Sequence, residues 1–244
     1  MATGEYRSAH DFPPTFLELV SEAGRNIRIL DVGGGDRRLK HPGYINLEIV
    51  PYDTVDVLGD SHSLPLKSNS FDIVLCQATI EHLRRPWLAA EEMYRVCKVG
   101  GFVYVDAAFM QPMHAFPNHF FNTTGEGIRV LFEKFDEIGS GVQSYQMPSY
   151  TVYRILSEYL TCFFPKFRGT INATLEDRHV TPPKTPAVET SQQRDSSLAM
   201  LVLARVYQVI KMIGQRVLKY LDRYIDPSAA ETIAAGVYFL GRKD

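Results

Sequence analysis

The first residues with legible chemistry are a run of glycines and the acids around it. The stretch "ILDVGGGDRR", Ile29 to Arg38, passes from apolar and β-branched residues into three glycines, an aspartate and two arginines. A glycine turn after a strand lets the backbone come close to a nucleotide-like ligand. Gly33 and Gly35 fit the first two positions of a dinucleotide GxGxxG loop, but Arg38 stands at the third. No GKS or GKT follows, so a phosphate-binding P-loop is excluded. Asp31 ends the strand with a carboxylate directed at the loop. Glu48 ends the next predicted strand, where an acid accepts hydrogen bonds from both hydroxyls of a ribose. Asp60 ends a third, in "GDSHSLPLKSNSFD", placed for an exocyclic amine of adenine. Arg37 and Arg38 have two readings: they neutralise an anionic group of a ligand, or they are solvated surface residues.

The stretches "ILDVGGG", "NLEI", "GDSHSLPLKSNSFDIVLCQATIEHL" and "EEMYRVCKVGGFVYV" lie between Ile27 and Asp106. Together they resemble the class I S-adenosylmethionine-dependent methyltransferases, and within them a small-molecule and glycan-cluster subgroup of the type 11 superfamily. The resemblance implies an α/β, Rossmann-like seven-stranded and mostly parallel sheet with helices on both faces. Its antiparallel last strand would be "AAGVYFLGRK". It also implies that Asp31 with Gly33, Gly34 and Gly35 lines the methionine and ribose of S-adenosyl-L-methionine. Glu48 would hold the ribose diol, Asp60 with Ser61 the adenine, and Gln77 would sit near the methionine end. His82, in "EHL", would support the same pocket. This cofactor is a sulfonium cation without phosphate, so acidic strand ends suit it and the missing third glycine is expected.

The second stretch with chemistry is "FMQPMHAFPNHFFNTT", Phe109 to Thr124, after the fifth predicted strand. In a doubly wound sheet ligands bind beyond the carboxyl ends of the strands, so this loop faces the reacting methyl. Aromatic residues around His114 and His119 suit a small organic or sugar acceptor, and the stretch resembles a segment of the glycan-cluster subgroup, which implies a sugar, glycoside or related natural product. Methyl transfer to a hydroxyl needs in-line geometry and a base for the departing proton. His114 or His119 is expected to be that base, oriented by Asp106 or Glu81. The spacing of His114, His119 and Asp106 is not that of a tight metal-ligand set, so no metal is expected.

The elements that must position these residues follow from short apolar runs bounded by Gly, Pro, Asn or Asp, as expected of strands buried on both faces. A helix over Phe16–Ala23 precedes strands at "IRILDVG", "YINLEI", "TVDVLGD", "FDIVLCQAT" and "GFVYVDAAF". Pro86 opens a helix that Gly100 and Gly101 close, Thr124 caps another, and "FDEIGSGVQSYQ" supplies a sixth strand. "YTVYRILSEYLTCFF" is expected to be helical, 169–196 an irregular polar loop, and 198–225 a long amphipathic helix with a basic face. The chain thus divides into a cofactor-binding core at 1–147, a helical insertion at 148–227 serving as lid, acceptor or dimer element, and a returning strand at 228–244. The 198–225 helix fits a sheet cover or a homodimer contact, or peripheral contact with an anionic membrane bearing a lipid-linked glycan.

Composition closes off other classes. The 244 residues carry a net charge of −2, with no basic domain, so nucleic acid is not an expected partner. Cys76, Cys97 and Cys162 are odd in number and widely spaced, which fits a reducing cytoplasm. Two other readings stay open. A nicotinamide-dependent oxidoreductase is disfavoured by Arg38 and by the lack of a Tyr-xxx-Lys pair after the fifth strand; Tyr94 and Lys98 lie on the preceding helix and read as a surface pair. A non-catalytic cofactor-binding scaffold of the same fold is the other.

Overall fold

A computed structural model describes residues 10–114, 118–163, 212 and 214–244. Seven strands form one sheet: β1 (Ile29–Val32), β2 (Tyr44–Glu48), β3 (Val57–Leu58), β4 (Phe71–Gln77), β5 (Cys97–Ala108), β6 (Asp136–Gly141) and β7 (Gly236–Arg242). Their order is β3-β2-β1-β4-β5-β7-β6. β1 to β5 pair in parallel, and β7 runs antiparallel between β5 and β6. The chain order reverses between β1 and β4, and that is the crevice where open α/β sheets bind ligands.

Alternation along each strand feeds two cores. Leu30, Val32, Val74, Cys76, Val103 and Val105 point to one face, where they meet Ala89, Ala90, Met93 and Val96 of α2 (Pro86–Val96). Ile128 of α3 (Gly125–Leu131) joins the same face. Ile29, Ile73, Leu75 and Tyr104 point to the other, against Phe16 and the partly buried Leu19 and Val20 of α1 (Pro14–Ala23). Two-sided burial is why these strands read as continuous apolar runs rather than alternating ones.

Several boundaries differ from the sequence expectation. β3 is only two residues long, and just before it the Asp56 carboxylate accepts the backbone N–H of Asn46 at 2.9 Å. α2 ends at Val96, and β5 begins at Cys97 rather than at Gly101. Lys98 is therefore on the strand, bonded to both oxygens of Asp72 at 2.8 and 2.9 Å. Tyr94 instead stacks under the ammonium of Lys243, 4.3 Å from its ring centroid, so Tyr94 and Lys98 are not a surface pair. Thr124 does cap α3, its hydroxyl accepting from the Gly127 N–H at 3.0 Å.

After β6 comes α4 (Pro148–Phe163), whose first turn is held by Asp222: Oδ1 accepts from the Ser149 N–H at 3.2 Å and Oδ2 from the Ser149 hydroxyl at 2.5 Å. A carboxylate at a helix N-terminus satisfies its free N–H groups. Residues 214–221 are helical and run into a 3-10 turn at Asp222–Tyr224. The expected loop at 169–196 and most of the expected helix at 198–225 lie outside the described residues. Among the described residues, no helix is long and apolar enough to cross a membrane.

Candidate functional site

Of the expected cofactor residues, Asp31, Gly33 to Gly35, Glu48, Asp60, Ser61 and Gln77 gather at the carboxyl edge of the sheet, whereas His82 lies in a second cluster against His114 and His119. Asp31 and Glu48 close β1 and β2, Asp60 follows β3, Gln77 closes β4, and Asp106 lies beside Gln77 in the β4–β5 register. The glycine turn after Val32 is fixed by shape. Gly33 has φ +73°, and a Cβ there would fall 2.5 Å from the Thr79 side chain. A Cβ on Gly34 would collide with Asn46 and Asp31. Bulk is thus excluded by the turn's own packing, before any ligand is considered.

Asp31 has different partners from those expected. It is fully buried, and its oxygens accept from Arg37 Nε and Nη2, both at 3.0 Å, and from the Tyr44 hydroxyl at 2.6 Å. Arg37 is therefore no surface residue: it is buried, lies 4.6 Å from the Phe12 ring centroid, and donates to Gln77 Oε1 and the His10 carbonyl. This fork-on-fork pair lies under the turn. Arg38 is half exposed and pairs with Asp56 at 2.9 Å. Glu48 receives the Gly35 N–H at 3.0 Å and the Ile49 N–H at 2.7 Å, which ties its carboxylate to the glycine turn. Asp60 Oδ1 takes the His62 N–H and ring Nδ1 at 2.9 and 2.6 Å, and these bonds hold its carboxyl below the usual range. Ser61 beside it is buried.

Asp106 is buried, accepting from the Ala78 N–H at 3.1 Å and from the Tyr145 hydroxyl at 2.5 Å. Burial pushes it up to about 7, partly offset by the Tyr145 bond. Among these strand-end acids, only Asp31 is in contact with a buried arginine. An edge with this surplus of carboxylates and no cluster of basic groups suits a cationic ligand lacking phosphate.

The second cluster lies beyond β4 and β5. The 3-10 turn Ile80–His82 brings Glu81 and His82 against the loop carrying His114 and His119. The Glu81 carbonyl accepts the Phe120 N–H at 2.8 Å, which joins turn to loop. The ring centroids of His114 and His119 are 4.3 Å apart. Their nitrogens are not equivalent. His119 accepts the His114 N–H on Nδ1 at 3.1 Å and donates from Nε2 to Asn122 Oδ1 at 2.8 Å. The Asn122 amide is itself oriented by donation to the Gln111 carbonyl, so both nitrogens of His119 are committed. His114 donates from Nδ1 to the Pro112 carbonyl at 3.0 Å, which leaves the Nε2 lone pair free, 4.0 Å from Glu81 Oε1. Burial lowers His114 to about 4 and raises Glu81 to about 7, so this approach is no ion pair at rest.

Sequence reasoning missed the Asp31–Arg37 pair and the tyrosines at 44 and 145, whereas Glu81 beside His114 is one of the pairings it offered. Only proximity in the chain, Asp31 six residues before Arg37, was available to suggest the first.

Strand order and switch point define an α/β, Rossmann-like doubly wound fold with acids along its carboxyl edge. Residues 30–105, under a third of the chain, match the family described as Methyltransferase domain, and that family implies S-adenosylmethionine as cofactor. An uncharacterized methyltransferase of Mycobacterium ulcerans is 35% identical over 100 residues, covering 33% of this chain and 38% of the relative. One of Mycolicibacterium gilvum is 32% identical over 101 residues, covering 32% and 37%. The chain thus spans well under half the length of the curated relatives it matches. A structure from Galdieria sulphuraria, provisionally named a sarcosine dimethylglycine methyltransferase, is 16% identical. It covers 94% of this chain and 83% of its own, with a TM-score of 0.50, a likeness of fold alone.

Proposed function

We propose that the protein transfers a methyl group from S-adenosylmethionine to a hydroxyl of a small molecule, with a sugar, glycoside or related natural product as the acceptor class. The observation that carries this reading is the pairing of two sites at one sheet edge. An acidic cofactor crevice lies at the β1/β4 switch point, and a histidine with a free nitrogen lies just beyond β4 and β5. The bound cofactor supplies a methyl on a cationic sulfur. Glu48, Asp60 with Ser61, and Gln77 are the residues of this chain assigned to hold it. Asp31 acts on the crevice through Arg37, and Gly33 to Gly35 shape the turn.

On the acceptor side, Nε2 of His114 takes the hydroxyl's hydrogen bond and then its proton as the methyl leaves sulfur. Burial alone would make His114 a weak base, so the Glu81 carboxylate 4.0 Å away is the counter-charge that an imidazolium needs. His119 orients His114 through the backbone and takes no proton itself. Phe120 and Phe121, both partly exposed, flank the loop and offer apolar faces for the rings of an acceptor. We assign residues 148–227 to an insertion that completes the acceptor side.

Calorimetry with S-adenosylmethionine and with NAD tests the cofactor, and transfer of labelled methyl to sugar, phenol and amine panels tests the reaction. Binding of S-adenosylmethionine with methylation of hydroxyl acceptors is the expected result. Failure to bind S-adenosylmethionine, or methylation confined to amines, overturns the reading.

A further inference from the structure

Three side chains from two loops converge beyond the carboxyl ends of β4 and β5: Glu81 and His82 from the 3-10 turn, and His114 from the loop after β5. One donor atom from each lies within 4.8 Å of the other two. We propose that they form a binding site for one divalent cation of the zinc type, held by the Glu81 carboxylate and by Nε2 of His82 and His114.

The hydrogen bonds around the trio set this up. His82 donates from Nδ1 to the Asn118 carbonyl at 2.7 Å, and His114 donates from Nδ1 to the Pro112 carbonyl at 3.0 Å. Both rings are therefore fixed in the tautomer whose Nε2 carries a lone pair, the arrangement typical of metal-ligating histidines. Burial lowers both rings from the usual histidine value and so favours the neutral form that a ligand needs. The second, independent sign is Glu81 itself. It is 1% exposed, and its Oε2 has no hydrogen-bond partner among the described residues. A buried carboxylate oxygen without a donor is costly, and a cation is one group that would satisfy it. His119 is not a ligand, since both its nitrogens are engaged.

The donor set selects the metal. Two imidazoles and one carboxylate suit zinc and its first-row neighbours, whereas magnesium and calcium prefer oxygen alone. Zinc bonds of about 2.0–2.1 Å place tetrahedral donors roughly 3.3 Å apart, so loading draws the trio inward. The Glu81 carbonyl accepts from the Phe120 N–H, and His82 donates to the Asn118 carbonyl, so these residues are already tied to the ligand-bearing turn. Three protein donors leave one position open for water or an acceptor oxygen. This consequence rests on the proposed methyl transfer. With a cation bound, His114 serves as a ligand instead of as the base, and the cation supplies Lewis-acid polarisation of an acceptor oxygen; the general-base role belongs to the metal-free chain.

The test uses the full chain without an affinity tag, stripped with chelator and dialysed. Zinc uptake is measured by calorimetry, and cobalt(II) is added as a probe of ligand-field absorption. The expected result is one zinc per chain and a cobalt spectrum of low coordination number. Glu81→Gln and His114→Gln, checked for folding by circular dichroism, each weaken binding about tenfold or more. His41→Gln, outside the cluster, leaves it unchanged. No zinc uptake by the wild-type chain, or equally strong uptake in both cluster variants, overturns the site. A chain that takes zinc but not S-adenosylmethionine keeps the site and loses the methyltransferase reading. A chain that methylates hydroxyls without taking zinc does the reverse.

Discussion

At the residue scale, the loop after β5 holds two histidines of the same type within six positions that have different chemistry. His119 spends both ring nitrogens on His114 and Asn122, whereas His114 keeps Nε2 free beside Glu81. In the metal-free chain, replacement of His114 by alanine should lower kcat on a hydroxyl acceptor about 10²- to 10⁴-fold, the usual worth of a general base. His119→Ala should cost less, at most about 100-fold through misplacement. Steady-state kinetics on both variants decides, and an equal or larger loss at His119 would reverse the assignment. The buried pair of Asp31 and Arg37 carries a stability prediction. Arg37→Met leaves the Asp31 carboxylate buried without its counter-charge, so urea unfolding should show a loss of about 3–5 kcal/mol. Adding Asp31→Asn to that variant should restore part of the loss, and no recovery would mean that packing of Arg37 on Phe12 matters more than its charge. Residue types at strand ends were legible in the sequence, because acids after apolar runs stand out. Their partners were less so: the Tyr44 hydroxyl reaches Asp31 only because β1 and β2 pair in register, although Glu81 beside His114 is a pairing the sequence offers.

At the element scale, strand identity was legible because two-sided burial makes each parallel strand a continuous apolar run, while its ends were not. β3 stops at two residues, and β5 starts before the Gly100–Gly101 pair that reads as a helix stop. Lys98 and Asp72 decide the second case: their ion pair spans neighbouring strands, and local propensity carries no trace of it. The turn after β1 shows the opposite, a place where local sequence is sufficient. Gly33 combines a positive φ with contact against Thr79, so Gly33→Ala meets both strain and a collision. Thermal melting should show a loss of more than about 1 kcal/mol. Thr79→Ala removes the two nearest colliding atoms and leaves the Thr79 Cβ at 3.0 Å, so adding it to Gly33→Ala should recover most of the packing share of the loss and leave the backbone share. A double variant as unstable as the single one would show that the positive φ alone sets the cost.

At the scale of the whole molecule, the carboxyl edge of the sheet concentrates buried acid, and this has a pH signature. Asp106 is raised to about 7, chiefly by burial, with the Glu81 charge adding to the effect and the Tyr145 bond opposing it. A carboxyl whose folded value lies above its unfolded value of about 3.9 binds its proton more tightly when folded. Its contribution to stability is therefore fully present below about pH 4, falls as pH rises, and is lost once pH passes about 7. Asp106→Asn removes this titration, and its amide still offers an oxygen to Ala78 and a donor to the Tyr145 oxygen, the two partners seen here. The variant should thus gain on the wild type as pH rises: the difference in melting temperature, variant minus wild type, should be more positive at pH 8 than at pH 4.5. The comparison is made on the cofactor-free chain, because a bound sulfonium cation would favour the ionised carboxylate and flatten the wild-type curve. Adding S-adenosylmethionine should accordingly stabilise the wild type more at pH 8 than at pH 5, and stabilise Asp106→Asn nearly equally at both. A melting difference independent of pH would mean that Asp106 is ionised in the folded chain throughout, and that its burial is offset by a cation.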